Sequence, residues 1–327
     1  MYYTDKLESL KDIFGSNDVR LEPDRLVVNG RGYPVVDDVI ILLDPGQYPE
    51  SLKGQGGPSE SPSHFAEDIQ FTFGEEWKEF SEILEEHQRD FLRYFDLVDV
   101  SEFNRFRLCD LGCGSGRWSH FLKDQCRELV LVDFSEAIFM ARRNLKDAGN
   151  ALFFMGDLKR LPFREKFADF LYCLGVLHHL PTNALAEVRA LKKYAPMLLI
   201  YLYYALDNRP IYFRGLLAAV TGLRRFVSKI RNPFFRLSFS WVIMGLVYLP
   251  LVCLGWVLKP VGLARYVPLY EGYQGKSLRG IRQDVYDRFF TRIEQRFSRK
   301  QILALEDTFS QVIVSDRLPY WHFLCRE

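Results

Sequence analysis

The chain has 327 residues, of which 48 % are hydrophobic and 15 % aromatic, enough for one large domain with extensions or for two domains. The formal net charge of +1 gives no general attraction to nucleic acid, so no nucleic-acid partner is expected. None of the six cysteines form a Cys-x-x-Cys pair, which argues against a zinc ribbon; their apolar surroundings and the lack of a signal-peptide pattern favour a cytoplasmic location.

The first part of the chain predicts short strands followed by a linker and a helix. Apolar runs at 26–28, 33–36 and 39–43 are typical of strands, with Asn29 and Gly30 as a turn. Residues 50–64 are rich in Gly, Pro and Ser and predict a linker. From Glu75 to Phe95 apolar residues recur at helical spacing. Residues 1–64 are therefore a predicted extension that precedes the core.

Strand and helix patterns then alternate through residues 65–205, the predicted core. Apolar runs near 107–111, 129–133, 152–155, 167–174 and 197–203 predict five buried strands with helices between them. Near-continuous apolar strands of this kind form parallel sheets covered by helices on both faces. After an interruption at 206–297, residues 298–327 predict one more helix and two final strands, which complete a seven-stranded, mostly parallel α/β sheet.

A glycine loop joins the first predicted strand of the core to its first helix. Residues 108–116 read LCDLGCGSG, with Gly112, Gly114 and Gly116 spaced by two. Glycines let a ligand approach the backbone, and the following helix offers free N–H groups. Asp133 ends the next strand, 21 residues after Gly112, where a carboxylate can accept hydrogen bonds from ribose hydroxyls. This context predicts a nucleoside site.

Four segments in this order resemble the motifs of class I S-adenosylmethionine-dependent methyltransferases. The loop 110–116 resembles the first motif, 132–135 the second, 156–158 the third, and 167–180 the motif of the fourth strand. The resemblance implies a Rossmann-like fold and S-adenosylmethionine as cofactor. It also implies that the cofactor contacts belong to Asp110, Gly112, Gly114, Gly116, Asp133, Gly156, Asp157 and Leu158.

The resemblance implies in-line transfer of a methyl group to an O, N or C atom of a small-molecule or lipid-linked acceptor. His178 and His179 end the fourth strand, where a histidine can act as a base or shape the pocket wall; His179 is the predicted catalytic residue. Asp110 is expected to bind the cofactor or to fix the loop. The segment 73–77 resembles one that covers the cofactor in relatives, and 284–291 one that contributes to the acceptor side.

Two other functions remain open at this stage. A nicotinamide-dependent dehydrogenase or epimerase is disfavoured, because Gly116 is followed by Arg117, Trp118 and Ser119 and the usual pyrophosphate fingerprint is incomplete. A non-catalytic cofactor-binding subunit at a membrane surface is the other. The segment 19–49 resembles small zinc-ribbon-like domains that accompany some methyltransferases, but without their cysteines, so no metal is predicted.

The insertion at 206–297 has an unusual composition. Between Asn208 and Tyr270 there are nine basic residues and no acidic one, and Leu237–Leu258 is an uncharged run of 22 residues. A single membrane crossing is disfavoured because the chain must return to the sheet, and Pro250 is expected to divide the run. Two interpretations remain. Helices at 211–231 and 237–258 bury their apolar faces together as a lid, or residues 208–270 lie on a membrane surface.

Overall fold

The computed structural model describes residues 1–52, 70, 73–74, 76–77 and 79–327. Within these residues, eleven strands form one sheet in the order β1-β2-β3-β4-β7-β6-β5-β8-β9-β11-β10. The strands are β1 (Val19–Leu21), β2 (Arg25–Val28), β3 (Arg31–Val36), β4 (Val39–Ile41), β5 (Arg107–Leu111), β6 (Glu128–Asp133), β7 (Ala151–Met155), β8 (Phe170–Leu174), β9 (Met197–Tyr201), β10 (Gln311–Val314) and β11 (His322–Arg326).

Helices cover both faces of the sheet and form the insertion. They are α1 (Leu7–Phe14), α2 (Glu85–Tyr94), α3 (Arg117–Leu122), α4 (Ala137–Asn144), α5 (Ala184–Leu191), α6 (Ile211–Val227), α7 (Pro233–Ile243), α8 (Leu249–Leu258), α9 (Tyr270–Tyr273), α10 (Leu278–Phe290) and α11 (Arg299–Leu303). Asn183 and Ser298 accept hydrogen bonds from the first turns of α5 and α11, as capping residues do.

The seven strands from β5 to β11 confirm the predicted α/β sheet. Strands β5 to β9 are parallel, and β11 pairs antiparallel with β9 and β10. The chain moves outward from β5 through β6 and β7, then returns to the other side of β5 as β8. The carboxyl ends of β5 and β8 therefore flank a topological switch point, the place where open parallel sheets bind ligands.

The strand count of the prediction is wrong, because the N-terminal segment continues the sheet instead of standing apart from it. β4 pairs parallel with β7 through Ile40 and Ile41, and β1 to β3 extend the edge antiparallel. Val39, Ile40 and Ile41 are completely or almost completely buried, so pairing with β7 removes a whole apolar strand from water. Residues 53–64 of the predicted linker lie outside the described residues, as do Glu75 and Lys78 of the predicted helix.

The insertion has a small apolar core of its own. Residues of α8 and of the turn that precedes it, among them Met244, Tyr248 and Val252, pack on Ile281, Val285 and neighbouring residues of α10. α6 and α7 each pack mainly on α10, and neither packs extensively against the other. In the lid interpretation the two apolar helices bury their faces together; in the structure residues of both belong to one apolar core, and α10 supplies most of the packing between them.

Pro250 does not divide the apolar run, contrary to expectation. α7 and α8 are joined by a π-helical turn, Met244–Tyr248, and form one helix that continues to Val261. Proline removes one helical hydrogen bond and its ring crowds the carbonyl of the preceding turn. A widened π turn immediately before it provides the space, so the helix continues.

Candidate functional site

A cavity of about 720 Å³ lies above the switch point and reaches the insertion. Its walls combine the carboxyl ends of β5, β6, β8 and β9 with side chains of α6, α10 and the long helix of α7 and α8. The sheet end is polar and holds six of the eight predicted cofactor residues, whereas the insertion end is apolar. One continuous space can therefore hold two ligands, one at each end.

The glycine loop forms the floor of the sheet end. Gly112 and Gly114 line the cavity, and Gly112, Gly114 and Gly116 all have positive φ, of 79°, 54° and 74°. A Cβ on Gly112 would come within 2.4 Å of Val176, and one on Gly114 within 2.7 Å of Trp77. Gly116 does not line the cavity and lies at the start of α3. The first two glycines therefore leave space beside the loop for a ligand and for the side chains of Val176 and Trp77.

Asp133 lies at the end of β6 and lines the cavity beside this loop. Its carboxylate accepts hydrogen bonds from the backbone N of Gly114 at 2.9 Å, and from the backbone N and the Oγ of Ser135 at 2.8 and 2.7 Å. Burial raises the pKa of Asp133, and the bonds from Ser135 and Gly114 oppose that effect. The carboxylate is thus fixed in the position predicted for a ribose contact.

Three further residues of the predicted cofactor site follow the end of β7. Gly156, Asp157 and Leu158 all line the cavity. Asp157 accepts a hydrogen bond from the backbone N of Lys159 at 3.0 Å and one from Gln47 Nε2 at 3.3 Å. Gln47 follows β4 and also lines the cavity, so the N-terminal extension closes this rim. Sequence reasoning missed Gln47, because the pairing of β4 with β7 had no signal in the sequence.

Asp110 lies beneath the loop and does not line the cavity. It is 1 % exposed, and its Oδ2 accepts a 2.7 Å hydrogen bond from Ser119 Oγ, which also lies 2.6 Å from the hydroxyl of Tyr172. Burial raises the pKa of Asp110 to about 7, against the opposing effect of Ser119. Of the two roles expected for this residue, its position favours fixing the loop over contacting the cofactor.

The segment predicted to cover the cofactor contributes three cavity residues, Phe73, Glu76 and Trp77; Glu75 lies outside the described residues. Trp77 packs on Gly114, and the guanidinium of Arg117 lies 5.0 Å from its ring. Gln283 Nε2 donates to Glu76 Oε1 at 3.1 Å. Burial, followed by the charge of Asp287, raises the pKa of Glu76 well above its ordinary value.

The two histidines after β8 have different surroundings. His179 lines the cavity, and its Nδ1 lies 2.8 Å from the carbonyl oxygen of Ile293. A carbonyl oxygen only accepts, so Nδ1 carries the proton and Nε2 has the free lone pair of the neutral ring. His178 is fully buried, and burial lowers its pKa well below the ordinary value. The arrangement therefore suits His179, and not His178, to accept a proton in the cavity.

Polar groups from the segment 284–291, and others that no sequence motif marked, surround the middle of the cavity. The hydroxyl of Tyr203, just after β9, donates to Asp287 Oδ2, and Thr291 Oγ1 donates to Asp287 Oδ1 at 2.9 Å. Arg296 Nε donates to Glu294 at 2.6 Å, and Arg209 pairs with Glu271. Asp287 and Thr291 belong to the acidic–aromatic stretch noted in the sequence. The arginines had no motif to mark them.

The insertion end of the cavity is apolar. Its walls come from three elements: α6, the long helix of α7 and α8, and the loop before α9. They contribute Phe213, Leu216, Leu217, Val220, Leu223, Ile243, Val247, Leu251, Val267, Pro268 and Leu269. Leu216, Leu223 and Val247 line the cavity and are also 50 %, 45 % and 40 % exposed. The apolar end is therefore connected to the outer surface of the insertion.

Comparisons with known proteins agree with the geometry of the sheet end. Residues 108–195 match the model of a methyltransferase domain family. No curated protein matches the chain at a significant level. This match supports the methyltransferase superfamily predicted for these residues.

Solved structures that resemble this chain cover parts of it at low identity. A putative methyltransferase from Bacillus halodurans C-125 is 18 % identical, with a TM-score of 0.36, over 42 % of this chain and 60 % of its own. Phosphoethanolamine N-methyltransferase 1 from Haemonchus contortus, solved with phosphoethanolamine and S-adenosylhomocysteine, is 15 % identical, with a TM-score of 0.35, over 42 % and 33 %. Magnesium protoporphyrin IX methyltransferase from Synechocystis PCC 6803, with bound S-adenosylmethionine, is 21 % identical, with a TM-score of 0.32, over 50 % and 78 %.

The residues at the sheet end of the cavity fit S-adenosylmethionine. One cavity is faced by a glycine loop before a helix, a fixed carboxylate at the end of β6 and a second acidic side chain after the end of β7. Residues 108–195 therefore belong to a methyltransferase domain, and the residues that face the cavity around them fit S-adenosylmethionine as its cofactor.

Proposed function

We propose that this protein is an S-adenosylmethionine-dependent methyltransferase that acts on a lipid-linked acceptor at the surface of a membrane. One observation carries the proposal: the cavity that begins at the cofactor residues ends in apolar walls whose outer rim, at Leu216, Leu223 and Val247, is exposed. A water-soluble acceptor gains nothing from an apolar channel that opens to the surface, whereas the hydrocarbon chain of a lipid fits it.

Exposed apolar side chains on the insertion support membrane contact. Among the described residues, eighteen large apolar side chains between Ile211 and Tyr266 are exposed, and three others lie elsewhere, at Met1, Leu92 and Leu278. Phe226, Phe234 and Leu246 are 73 %, 80 % and 74 % exposed. A soluble protein rarely exposes so many in one region, and such patches mark interaction sites.

The basic residues of the insertion divide into two groups. Arg209, Arg224 and Arg236 are directed inward: the first two pair with Glu271 and Glu294, and Arg236 Nε donates to the carbonyl oxygen of Ile230. The remaining six are exposed, namely Arg214, Arg225, Lys229, Arg231, Lys259 and Arg265. Exposed basic groups interleaved with exposed aromatic ones suit a surface of anionic lipid headgroups.

The contacts of the long helix favour a position in the membrane surface over one that crosses the membrane. The stretch Pro233–Val261 is long and apolar enough to span a bilayer, and 22 % of its most apolar part is buried. However, Phe239 contacts Phe289 near one end, with ring centroids 5.3 Å apart, and Trp256 contacts Tyr270 near the other, at 6.1 Å. Because the helix is packed against the rest of the protein along its length, it is expected to embed its outer face alone.

The reaction needs a positioned acceptor and a path for one proton. S-adenosylmethionine supplies an electrophilic methyl group on a sulfonium centre. Asp133 and the glycine loop hold that end of the cavity, and the apolar walls hold the acceptor in line, an effect that can lower the barrier by several kcal/mol. His179 Nε2 takes the proton that an O–H, N–H or C–H acceptor atom releases as its bond to the methyl carbon forms and the carbon–sulfur bond breaks.

Transfer of an isotopically labelled methyl group tests the proposal. Purified full-length protein is incubated with labelled S-adenosylmethionine and a total membrane lipid extract, and the organic phase is separated and counted. We expect label in the organic phase with the wild type and none with Asp133→Ala. His179→Asn, whose amide can still donate to Ile293, should bind S-adenosylhomocysteine normally and transfer at a much lower rate. Label confined to water-soluble products would contradict the lipid-linked acceptor.

A further inference from the structure

Three arginines crowd around a single carboxylate where the polar and apolar ends of the cavity meet. Glu294 Oε2 lies 2.9 Å from Arg224 Nη1, and Glu294 Oε1 accepts from Arg296 Nε at 2.6 Å. Burial acts to raise the pKa of Glu294, but Arg296, Arg288 and Arg224 together hold it below its ordinary value. Three positive charges therefore share the charge of Glu294, and Asp287 is a further acidic neighbour of Arg224.

Two of these arginines line the cavity with donors unused. Within the described residues, Arg288 has no carboxylate at ion-pair distance, and neither Arg288 Nε nor Arg296 Nη2 has a hydrogen-bond partner although both atoms are buried. A buried guanidinium donor without a partner costs free energy, so such donors are usually occupied. Planar guanidinium groups with free donors suit phosphate, which they bind through charge-assisted hydrogen bonds.

The position of this cluster along the cavity indicates which part of a ligand it would meet. The guanidinium of Arg296 lies 5.2 Å from the ring of Tyr203, whose ring centroid is 5.4 Å from that of His179. Arg288 is close enough to Tyr203 and to Tyr248 of the long helix to interact electrostatically with both. The two arginines thus lie between the histidine and the apolar walls.

We propose that Arg288 and Arg296 bind a phosphate group that the acceptor carries between its methylated end and its apolar chain. The inference rests on the proposed function, because it assigns the headgroup chemistry of the same acceptor. A bound phosphate supplies acceptors to the two guanidinium groups that line the cavity and relieves the repulsion among the three arginines. A neutral lipid of the same length would leave the guanidinium donors without acceptors and the repulsion among the arginines unrelieved.

Calorimetry on the full-length protein, saturated with S-adenosylhomocysteine, tests the site without turnover. The probes are monododecyl phosphate below its micelle concentration, dodecanol and inorganic phosphate. We expect monododecyl phosphate to bind at least about tenfold more tightly than dodecanol, the change that one charge-assisted contact produces. Inorganic phosphate, which has no apolar chain, should bind far more weakly than either.

Variants distinguish phosphate binding by Arg288 and Arg296 from general electrostatic attraction to the basic insertion. Arg288→Gln and Arg296→Gln should each reduce the preference for the phosphate probe to about threefold or less, and Arg288→Lys should keep part of it. Arg225→Gln, at an exposed arginine one position after Arg224, is the matched control and should bind both probes as the wild type does. Normal binding of S-adenosylhomocysteine shows that a variant is folded; if one variant fails that check, the other and the wild-type comparison decide.

Equal binding of monododecyl phosphate and dodecanol by the wild type would overturn the proposal, as would an undiminished preference in both glutamine variants. Inorganic phosphate binding as tightly as the amphiphile would assign the site to free phosphate and overturn the headgroup. Failure of the proposed function looks different: the phosphate preference would persist while no label reached any lipid.

Discussion

Replacing two exposed phenylalanines of the insertion by serine should release the protein from membranes. Phe226 at the end of α6 and Phe234 at the start of α7 are 73 % and 80 % exposed, and neither belongs to the cavity lining. The double variant Phe226→Ser and Phe234→Ser therefore removes apolar surface that only a membrane would cover, and should leave folding and the cavity unchanged.

The exposed fractions set the size of the effect. Complete burial of a phenylalanine side chain contributes about 1.5–3 kcal/mol. Scaled by the exposed fractions, each ring would contribute about 1–2 kcal/mol on entering a membrane surface, and the pair about 2–4 kcal/mol. The partition coefficient of the double variant should consequently fall by about 30- to 1,000-fold.

Sedimentation with sucrose-loaded vesicles measures this partition coefficient. Vesicles of phosphatidylcholine with a minority of phosphatidylglycerol should pull down the wild type in low salt, and less of it in high salt, because salt screens the exposed basic residues. Leu92→Ser is the matched control: Leu92 is 64 % exposed on α2, outside the insertion, and its replacement should have no effect. If wild type and double variant sediment equally, with or without vesicles, the insertion is a lid of soluble character and the membrane proposal is wrong.

Three further changes test the sheet end of the cavity. Asp133→Ala should weaken S-adenosylhomocysteine binding at least about a hundredfold by calorimetry, since charge-assisted hydrogen bonds contribute about 1.5–3 kcal/mol each; a change below about threefold would remove Asp133 from the site. Gly114→Ala should displace Trp77, because its Cβ would lie 2.7 Å from the indole, and so shift the tryptophan fluorescence and weaken cofactor binding; an unchanged spectrum would contradict the packing. Asp110 has a pKa of about 7 in the folded protein, above its value in the unfolded chain. The free energy of unfolding should therefore fall by about 3–5 kcal/mol as the pH rises from about 4 to 7. Thermal unfolding of Asp110→Asn should show no such fall. Parallel pH curves for the two proteins would rule out a buried, protonated Asp110.

The sheet of the core was predictable because its signals are local. β5 begins and ends where the sequence predicts, and the strand ends that carry Gly112, Asp133 and Asp157 meet at one edge because parallel strands point the same way. The placement of β4 beside β7 could not be read from the sequence, because any apolar strand fits an open sheet edge equally well. Gln47 consequently escaped the predicted site.

The insertion was harder to predict because its chemistry depends on tertiary contacts. Composition marked nine basic residues as one group, but Arg224 and Arg236 are buried, at 5 % and 2 % exposure. A basic residue turns inward when a distant carboxylate such as Glu294 lies in reach, and no pattern in the sequence joins the two. Pro250 was misjudged for a similar reason: a proline ends a regular helix, but a π turn before it allows the helix to continue.

Calorimetric titration of the full-length protein with S-adenosylhomocysteine, and in parallel with NAD⁺, tests the central claim most directly. A loop, a fixed carboxylate at Asp133 and a second at Asp157, all facing one cavity, predict micromolar binding of the first ligand and no heat from the second. Binding of NAD⁺, or of neither ligand, would contradict the claim that this cavity is a methyl-donor site.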